Sequence, residues 1–582
     1  MTRRKRKRTG ARAPASRATA SRDSVTLSGE TAKLASDARK PATSEHFQRR
    51  LEWALASFSG ALFAAACCFS QVGWLAWIAL LPLLWVIDKT ASLKRAIWLS
   101  WWAGAVASLG TVHWMIPLIA RFTAAPLPAA LVGHAIFSAY QGVVFLIFGW
   151  IVRLGRERLA LPMSVVAPVA IVASQATIWF LFPYGIEISQ AFFPPVIQVA
   201  DLLGRYAVTA MLALASAASY DLLYASGAEI KLARRCAVAG LLLLGAAFAY
   251  GHLRLSALEK RIAAAPSLRV GIVQPNADVE LPGTEQGSAS EQVERKVRTL
   301  AALRRASQDL VARGAQLIVW TEVSYPWLYS QTRGEDFPNN DPQAISTGVG
   351  APVIAGSLTQ DGAGHQYNSA LVFAPGGSII GRYDKNILVP FGEYIPEPVN
   401  FAWVRRLALG TGPGLLPGAA MQPVSVPVAP TGGRSSIGIL ICYEDVLPEL
   451  TRRIGAQHPQ LLLNLSNDAW FNSEIESKQH LAMSVYAAVE QRISLARAVN
   501  PGISAIVDPA GRVIAQSQFV SPGGRILPPD TFLAAVPLFT SDTSFYTTVG
   551  HWFPHICQLL SLAILLRARL GMRHWPWQWN PA

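Results

Sequence analysis

The stretch SSIGILICYEDVLPEL, residues 435–450, joins an apolar run to a polar turn. Its first half is rich in isoleucine and has the length of a strand that is buried on both faces. This run ends on Cys442, and Tyr443, Glu444 and Asp445 follow at once. The pattern predicts a thiol that the strand holds rigidly and the turn exposes. From the cysteine alone, a nucleophile and an inert core residue are equally good interpretations.

Residues 255–549 around this stretch alternate short β-type runs with helical ones, which predicts an α/β or α+β domain built on layered sheets. Amphipathic helices are predicted at 290–314 and 478–499, and a hairpin is predicted from ISAIVDP and GRVIAQS. A Gly- and Pro-rich surface loop is predicted at 411–434. The other predicted strands are 268–274, 315–320, 352–358, 369–375 and 460–466.

The rest of the 582-residue chain has the composition of a membrane protein. Hydrophobic residues make up 51% and charged residues 15%, and the mean hydropathy is +0.29. Eight apolar segments approach the ~20 residues that cross a bilayer. We predict spans at about 51–70, 71–88, 96–120, 127–152, 160–182, 200–223, 236–253 and 550–566.

Basic residues predict the orientation. The loops DKTASLKR, RLGRER and IKLARR each hold three bases, and the alternate loops hold few. The positive-inside rule then places the N-terminus in the cytoplasm and residues 255–549 outside it. Residues 1–50 carry 14 Lys and Arg against 4 acidic residues. We interpret them as a disordered cytoplasmic tail rather than a nucleic-acid arm. Asp201 and Arg205, four residues apart, are expected to form an interfacial ion pair on one helix face.

Three polar residues in the outer segment follow apolar strands in the same way. Glu322 follows LIVW, Lys385 follows FAPGGSIIGRYD, and Cys442 ends SSIGILIC. Side chains at strand ends can converge on one edge of a layered sheet. Cys442 is also the only cysteine of the outer segment, so it has no disulfide partner there. The set predicts an acid, a cation and a thiol in one site.

These motifs resemble the nitrilase superfamily, and in particular its membrane branch, the bacterial apolipoprotein N-acyltransferases. The resemblance runs from about residue 50 to 566 and is carried by YDKNILVPFGEYIP, CYED, LSNDAWF, RAVNPG, AIVDPAGR and FPYGIEISQ. It implies eight transmembrane helices and an αββα sandwich. The expected domains are a basic tail (1–50), a seven-helix membrane domain (51–254), an extracytoplasmic catalytic domain (255–549), and a last span with a basic tail (550–582).

The resemblance also implies roles for particular residues. Cys442 would be the nucleophile, Glu322 its general base, and Lys385 the cation that stabilises the oxyanion. Glu393, Tyr443 and Glu444 would support them, and Trp470 would line a lipid pocket. The chain departs from the family after residue 277, where a Lys-Trp pair is usual and the sequence reads DVELPGTEQGSASEQ.

The implied activity is N-acylation of the diacylglyceryl-cysteine of apolipoproteins, with phospholipid as the acyl donor. We expect it to occur at the bacterial inner membrane, in a monomer with a periplasmic catalytic domain and no nucleic-acid partner. We expect no cofactor and no metal, since neither a nucleotide motif nor metal-ligand spacing is evident. Two alternatives remain open: a membrane-bound nitrilase-like amidase and a non-catalytic scaffold. His480 could also suggest a Cys–His protease, a weaker interpretation.

Overall fold

The computed structural model describes residues 42–123, 126–180, 182–227, 230–277, 288–397, 400–401, 414–428, 433–520, 528–539 and 543–571. The predicted tail therefore lies almost entirely outside the described residues, as do residues 411–413 and 429–432 of the predicted loop at 411–434. The chain divides into two compact units, Met1–Leu51 and Glu52–Ala582. The described part of the first unit is helical, and apart from the start of the first helix the features below belong to the second.

The first half of the described chain is helical. Its helices are α1 Ala42–Cys68, α2 Leu81–Lys89, α3 Leu93–Thr111, α4 Met115–Thr123, α5 Leu127–Gln141, α6 Val143–Leu159, α7 Met163–Thr177, α8 Pro194–Ile197, α9 Ala200–Leu203, α10 Tyr206–Tyr224 and α11 Ile230–Ala264, with 3-10 turns at Ser70–Trp77 and Ile186–Gln190.

Several of these helices are long and apolar enough to cross a membrane. Among the described residues there are five such segments, namely Glu45–Cys68, Ser70–Lys89, Leu127–Leu159, Tyr206–Tyr224 and Ile230–Ala264. A sixth results if α3 and the start of α4, bent by 69°, form one span. At ~1.5 Å per residue, the apolar helix α7 is about 22 Å long, which is less than the ~30 Å hydrocarbon core. By length and composition the structure thus supports five or six spans, fewer than the eight expected.

Asp201 and Arg205 do not pair with each other, contrary to expectation. Gly204, with a φ of 73°, ends α9, so the two residues do not share a helix. Asp201 binds Arg492 of the second half of the chain at 2.7 Å. Arg205 binds Glu490 at 3.4 Å, and all four side chains are buried. These two ion pairs between buried side chains therefore join the helical half to the second half.

The second half of the chain is built on two sheets. Its strands are β1 Ser267–Gln274, β2 Leu317–Trp320, β3 Tyr329–Ser330, β4 Val353–Gln360, β5 Gln366–Phe373, β6 Ile379–Asp384, β7 Val424–Val426, β8 Ser435–Ile441, β9 Leu461–Ser466, β10 Leu495–Val499, β11 Ala505–Val507, β12 Val513–Gln516 and β13 Asp530–Pro537. The first sheet has the order β13-β1-β2-β4-β5-β6, with β3 paired to β4. The second has the order β12-β11-β10-β9-β8-β7.

Helices cover the outer faces of both sheets. They are α12 Ala289–Ala312, α13 Pro448–Gly455 and α14 Glu474–Gln491, and two more helices follow the sheets, α15 Phe545–Val549 and α16 Trp552–Arg569. One buried cluster lies between the sheets and joins side chains such as Val270 and Ile439. A second packs α12 on the first sheet, and a third packs α14 against residues of the helical half. The layers are those of an αββα sandwich.

One predicted helix ends earlier than expected. The pattern predicts a helix over 478–499, whereas α14 ends at Gln491. Arg492 has a φ of 56°, in the left-handed region, and this stops the helix. The chain then enters β10, which pairs in parallel with β9.

Candidate active site

The two sheets bring the predicted acid, cation and thiol together. Glu322 follows β2 and Lys385 follows β6, both in the first sheet. Cys442 follows β8 in the second sheet. The Nζ atom of Lys385 lies 3.5 Å from Oε1 of Glu322. Tyr443, next to the thiol, has its ring centroid 5.8 Å from the same Nζ atom.

Lys385 is bound between two carboxylates. Its Nζ atom donates to Oε1 of Glu393 at 3.0 Å as well as to Glu322, and its side chain is 1% exposed. Burial disfavours the ammonium, but interactions with Cys442 and with the carboxylates of Glu393 and Glu322 raise the pKa of Lys385 well above its ordinary value. Lys385 is therefore a permanent cation in this site.

Asn368 connects the same two carboxylates from the other side. Its Nδ2 atom donates to Glu322 Oε1 at 2.8 Å and to Glu393 Oε1 at 3.0 Å. The residue lies within β5 and is 3% exposed. The sequence analysis missed it, because an uncharged amide inside a predicted strand gives no signal. Asn368 and Lys385 together fix both carboxylates.

Cys442 adopts an unusual backbone conformation. Its φ is 55°, in the left-handed region that non-glycine residues rarely adopt. The carbonyl of Cys442 accepts a hydrogen bond of 2.8 Å from Asn464, a second residue that the sequence analysis missed. Burial, followed by the Glu322 carboxylate, raises the pKa of the Cys442 thiol well above its ordinary value, while the Lys385 ammonium opposes this shift. The resting group is thus a thiol beside an acceptor for its proton.

Glu444 organises the turn that carries the thiol, which is a 3-10 turn over Cys442–Val446. Its carboxylate accepts hydrogen bonds from the backbone N–H groups of Asn386, Ile387 and Ile441 and from the hydroxyl of Tyr383, all between 2.7 and 3.0 Å. Burial raises the pKa of Glu444 to about 7, although these donors lower it. The side chain thereby joins the segment after Lys385 to the segment around Cys442.

The other predicted residues lie near this site or outside the described chain. The hydroxyl of Tyr443 donates to the Leu388 carbonyl at 3.1 Å. Trp470 is half-buried and packs with Trp114 and Phe471 in an aromatic cluster that joins both halves of the chain. The segment 278–287, where the usual Lys-Trp pair differs, lies outside the described residues. A lipid-pocket role for Trp470 stays a prediction.

The arrangement combines the parts of a covalent acyl-transfer site. It has a thiol in a fixed turn, a carboxylate near that thiol, and a buried cation, which are the groups that such a reaction uses as nucleophile, base and oxyanion stabiliser. A separate cluster of Asp468, Glu476 and His480, on the other side of the turn, has ligand atoms within 4.8 Å of one another. It is the group that could hold a metal among the residues that the structure describes.

Two family models match the chain. The carbon-nitrogen hydrolase model matches residues 269–527. The model of the apolipoprotein N-acyltransferase N-terminal domain matches residues 59–218. The first match covers the two sheets except for β13, and the second covers most of the helical half.

Relatives match across both halves. The apolipoprotein N-acyltransferase of Geobacter metallireducens is 29% identical over 80% of this chain and 86% of its own. That of Allorhizobium ampelinum is 28% identical over 89% of this chain and 96% of its own. The structure of an amidase from Nesterenkonia sp. covers 47% of this chain and 91% of its own at 17% identity, with a TM-score of 0.31, too low to support a functional inference. With both domain models and full-length relatives in agreement, the chain belongs to the apolipoprotein N-acyltransferases, the membrane branch of the carbon-nitrogen hydrolase superfamily.

Proposed function

We propose that this protein N-acylates the N-terminal diacylglyceryl-cysteine of apolipoproteins, using phospholipid as the acyl donor and Cys442 as the nucleophile. The observation that carries the proposal is the buried Glu322–Lys385–Glu393 set at the Cys442 turn, in a chain that also holds apolar helices. The names of the relatives, apolipoprotein N-acyltransferases, support the choice of an apolipoprotein as the acyl acceptor.

In the first step Cys442 takes an acyl chain. Glu322 accepts the thiol proton while the sulfur attacks the ester carbonyl of the phospholipid. The Lys385 ammonium stabilises the oxyanion of the tetrahedral intermediate. The carbon–oxygen ester bond then breaks, Glu322 returns the proton to the leaving alkoxide, and a lysophospholipid departs. The acyl chain remains on Cys442 as a thioester.

In the second step the α-amine of the acceptor attacks the thioester. Glu322 takes a proton from the amine, the carbon–sulfur bond breaks, and Glu322 gives that proton to the leaving sulfur, so the thiol of Cys442 forms again. The product is an amide, so the exchange is downhill from the thioester without ATP. Glu393 and Asn368 would hold Lys385 and Glu322 in place, while Tyr443 and Glu444 would shape the turn.

The proposal includes a location and a division of the chain. Residues 51–254 and 550–582 would hold the protein in the inner membrane, and residues 255–549 would form the catalytic domain on the periplasmic side. The protein would act as a monomer. The basic residues at the start of α3 (Lys94 and Arg95) and at the end of α6 (Arg153, Arg156 and Arg158) support this orientation. In intact cells, an impermeant maleimide should label Ser290→Cys, whereas Ser28→Cys should react only after lysis. Equal labelling of both sites before lysis would contradict the orientation.

The test of the chemistry is the intact mass of the purified full-length protein after incubation with a phospholipid of defined acyl chains. We expect a single fatty-acyl adduct on the wild type and none on Cys442→Ala. Cys236→Ala is the matched control, because it removes a cysteine of the helical half and should keep the adduct. An adduct on Cys442→Ala would refute the assignment of the nucleophile.

The acceptor is tested in a second incubation. A synthetic diacylated lipopeptide should remove the adduct and gain one acyl chain. If the adduct disappears at the same rate without lipopeptide and free fatty acid forms, the protein is a hydrolase, and the transferase proposal fails.

A further inference from the structure

The cluster behind the Cys442 turn has the composition and spacing of a metal site that the proposed acyl transfer does not use. Asp468 lies on the 3-10 turn Asp468–Trp470. Glu476 and His480 lie on α14, four residues apart, and so share one face of that helix. All three side chains are at most 3% exposed.

The ligand atoms are already close together. The Nδ1 atom of His480 lies 3.5 Å from Oδ1 of Asp468 and 3.8 Å from Oε1 of Glu476. The three atoms all lie within 4.8 Å of one another. Ligand atoms around a four-coordinate Zn²⁺ at about 2.1 Å are separated by roughly 3.4 Å. A small contraction would therefore give all three a bond to one ion.

The His480 ring is oriented as metal-binding histidines are. Its Nε2 atom lies 2.9 Å from Oδ1 of Asp445, so the N–H at this position donates to that carboxylate. In the neutral ring that binds a metal, the Nδ1 lone pair would then face Asp468 and Glu476. A carboxylate on the far nitrogen of a ligating histidine fixes the ring and increases its basicity. Ser484 and Arg497 hold Asp445 in turn.

Glu476 gives an independent indication of a ligand. Within the described part of the chain, neither of its carboxylate oxygens has a hydrogen-bond partner, although the side chain is 1% exposed. Buried carboxylates in proteins are normally bonded or bound to an ion, because burial of an unpaired one is costly. The side chain points at Nδ1 of His480, which is where an ion would lie.

The charges fit a divalent cation. Asp445, Asp468 and Glu476 supply three negative charges, and Arg497, which binds both aspartates, supplies one positive charge. With a neutral His480 the sum is −2. We propose that Asp468, Glu476 and His480 bind one divalent transition-metal ion, such as Zn²⁺ or Mn²⁺, which stabilises the turn that carries Cys442 through His480 and Asp445. The mixed nitrogen and oxygen donors suit these two ions.

The experiment measures metal content in the full-length protein in detergent. The protein is treated with chelator, dialysed against Zn²⁺ or Mn²⁺, desalted, and analysed by inductively coupled plasma mass spectrometry. We expect one ion per wild-type chain, with a higher thermal midpoint than after chelation. Glu476→Gln should retain at least tenfold less metal. Glu474→Gln, an exposed glutamate on the same helix, should retain as much as the wild type.

Two results would overturn the proposal. The first is a wild type without bound ion, in which case two protons, on His480 and Glu476, neutralise the cluster instead. The second is equal metal in the wild type and Glu476→Gln. X-ray absorption decides if the variant does not fold: a shell of nitrogen and oxygen supports this site, whereas a sulfur ligand places the ion at a cysteine. Neither readout depends on acyl transfer, so the two proposals can fail separately.

Discussion

Lys385 is held so that it can act as a cation and not as a base. Two carboxylates bind its Nζ atom at 3.0 and 3.5 Å, and its pKa is raised well above the ordinary value. Glu322 differs from Lys385, because burial raises its pKa above that of an ordinary glutamate and so favours the protonated form. A cation that stays charged and a carboxylate that can be protonated have different roles in one site.

Glu322 should determine the acid side of the pH profile. A general base works only when it is deprotonated, so the rate of acyl-Cys442 formation should fall as the pH falls through the raised pKa of Glu322. We expect this fall above the pH at which an ordinary glutamate titrates. The measurement is quenched intact mass over a pH series.

We would measure the same pH profile for the variant Glu322→Gln and for the control variant Glu294→Gln. Glu322→Gln should lose about 10²- to 10⁴-fold in rate and also lose the acid limb. Glu294 is exposed on α12, so Glu294→Gln should keep the wild-type rate and the acid limb. Burial also raises the pKa of Glu444, to about 7. An acid limb that persists in Glu322→Gln would assign the limb to another group and contradict the prediction.

Asn368 should matter for rate more than for binding. Its amide donates to Glu322 and Glu393 together, and hydrogen bonds to charged groups contribute about 1.5–3 kcal/mol. Asn368→Leu should therefore slow acyl-Cys442 formation about 10- to 100-fold while its KM for phospholipid changes little. Asn339→Leu, which alters an exposed amide, is the control. A change in KM alone would argue against a positioning role.

Sequence reasoning reaches some residues of the site and not others. Glu322, Lys385 and Cys442 can be predicted because each follows an apolar strand, and the family resemblance adds Glu393. Asn368 and Asn464 lie inside strands, where an amide looks like any polar interruption. Their partners are 46 and 22 residues away in the chain, so only the sheet pairing brings them into contact.

At the scale of elements, α11 packs against α8, another helix of the helical half, at a glycine. A Cβ atom at Gly251 would collide with the Pro195 carbonyl oxygen at α8. A Cβ atom at Gly245, on the same helix, would meet nothing within 4 Å. Close backbone approach at small residues is typical of packing between membrane helices.

Gly251 and Gly245 of α11 therefore predict opposite effects when they are replaced by alanine. Gly251→Ala should lower the thermal midpoint in detergent, because α8 or α11 has to move. Gly245→Ala should leave it unchanged or raise it slightly, since alanine favours a helix by about 1 kcal/mol over glycine. Equal midpoints for the two variants would show that the approach at Gly251 is not close in solution.

The positions of helices are easier to predict than their breaks. Hydropathy locates the apolar segments, and five of the predicted spans coincide with segments long enough to cross a membrane, at α1, at Ser70–Lys89, at Leu127–Leu159, at α10 and at α11. It does not show the 69° bend after Thr111, or the end of α9 at Gly204. Such breaks depend on backbone conformation at one or two residues, which a sum over 20 residues conceals.

At the scale of the whole molecule, buried ions connect the helical half to the sheets. The backbone N–H and the guanidinium of Arg205 both donate to Oε1 of Glu490, which lies 285 residues away in the chain. The sequence predicts the two halves but not this interface, since Asp201 and Arg205 suit a local pair equally well. Only the folded chain shows that each binds a partner beyond residue 489.

Removal of one partner should be more damaging than removal of both. Arg205→Met leaves the Glu490 carboxylate buried and unpaired, which costs about 3–5 kcal/mol. The double variant Arg205→Met/Glu490→Gln should recover most of the loss in thermal midpoint. Arg453→Ala breaks an exposed ion pair with Glu449 and should cost at most about 1 kcal/mol. A double variant no better than Arg205→Met would contradict the assignment of the cost to an unpaired charge.

The ion pairs between Arg492 and Asp201 and between Arg205 and Glu490 also constrain how the sulfur meets its substrates. Because these charges are buried, a movement of the domain toward a lipid and then toward a second molecule would have to break the ion pairs, which opposes such a movement. The thiol stays at one height above the helices. The acyl donor and the acyl acceptor must then each move to the thiol in turn. Both are amphipathic lipids or lipid-modified peptides, so they can move within the membrane surface while the domain stays in place.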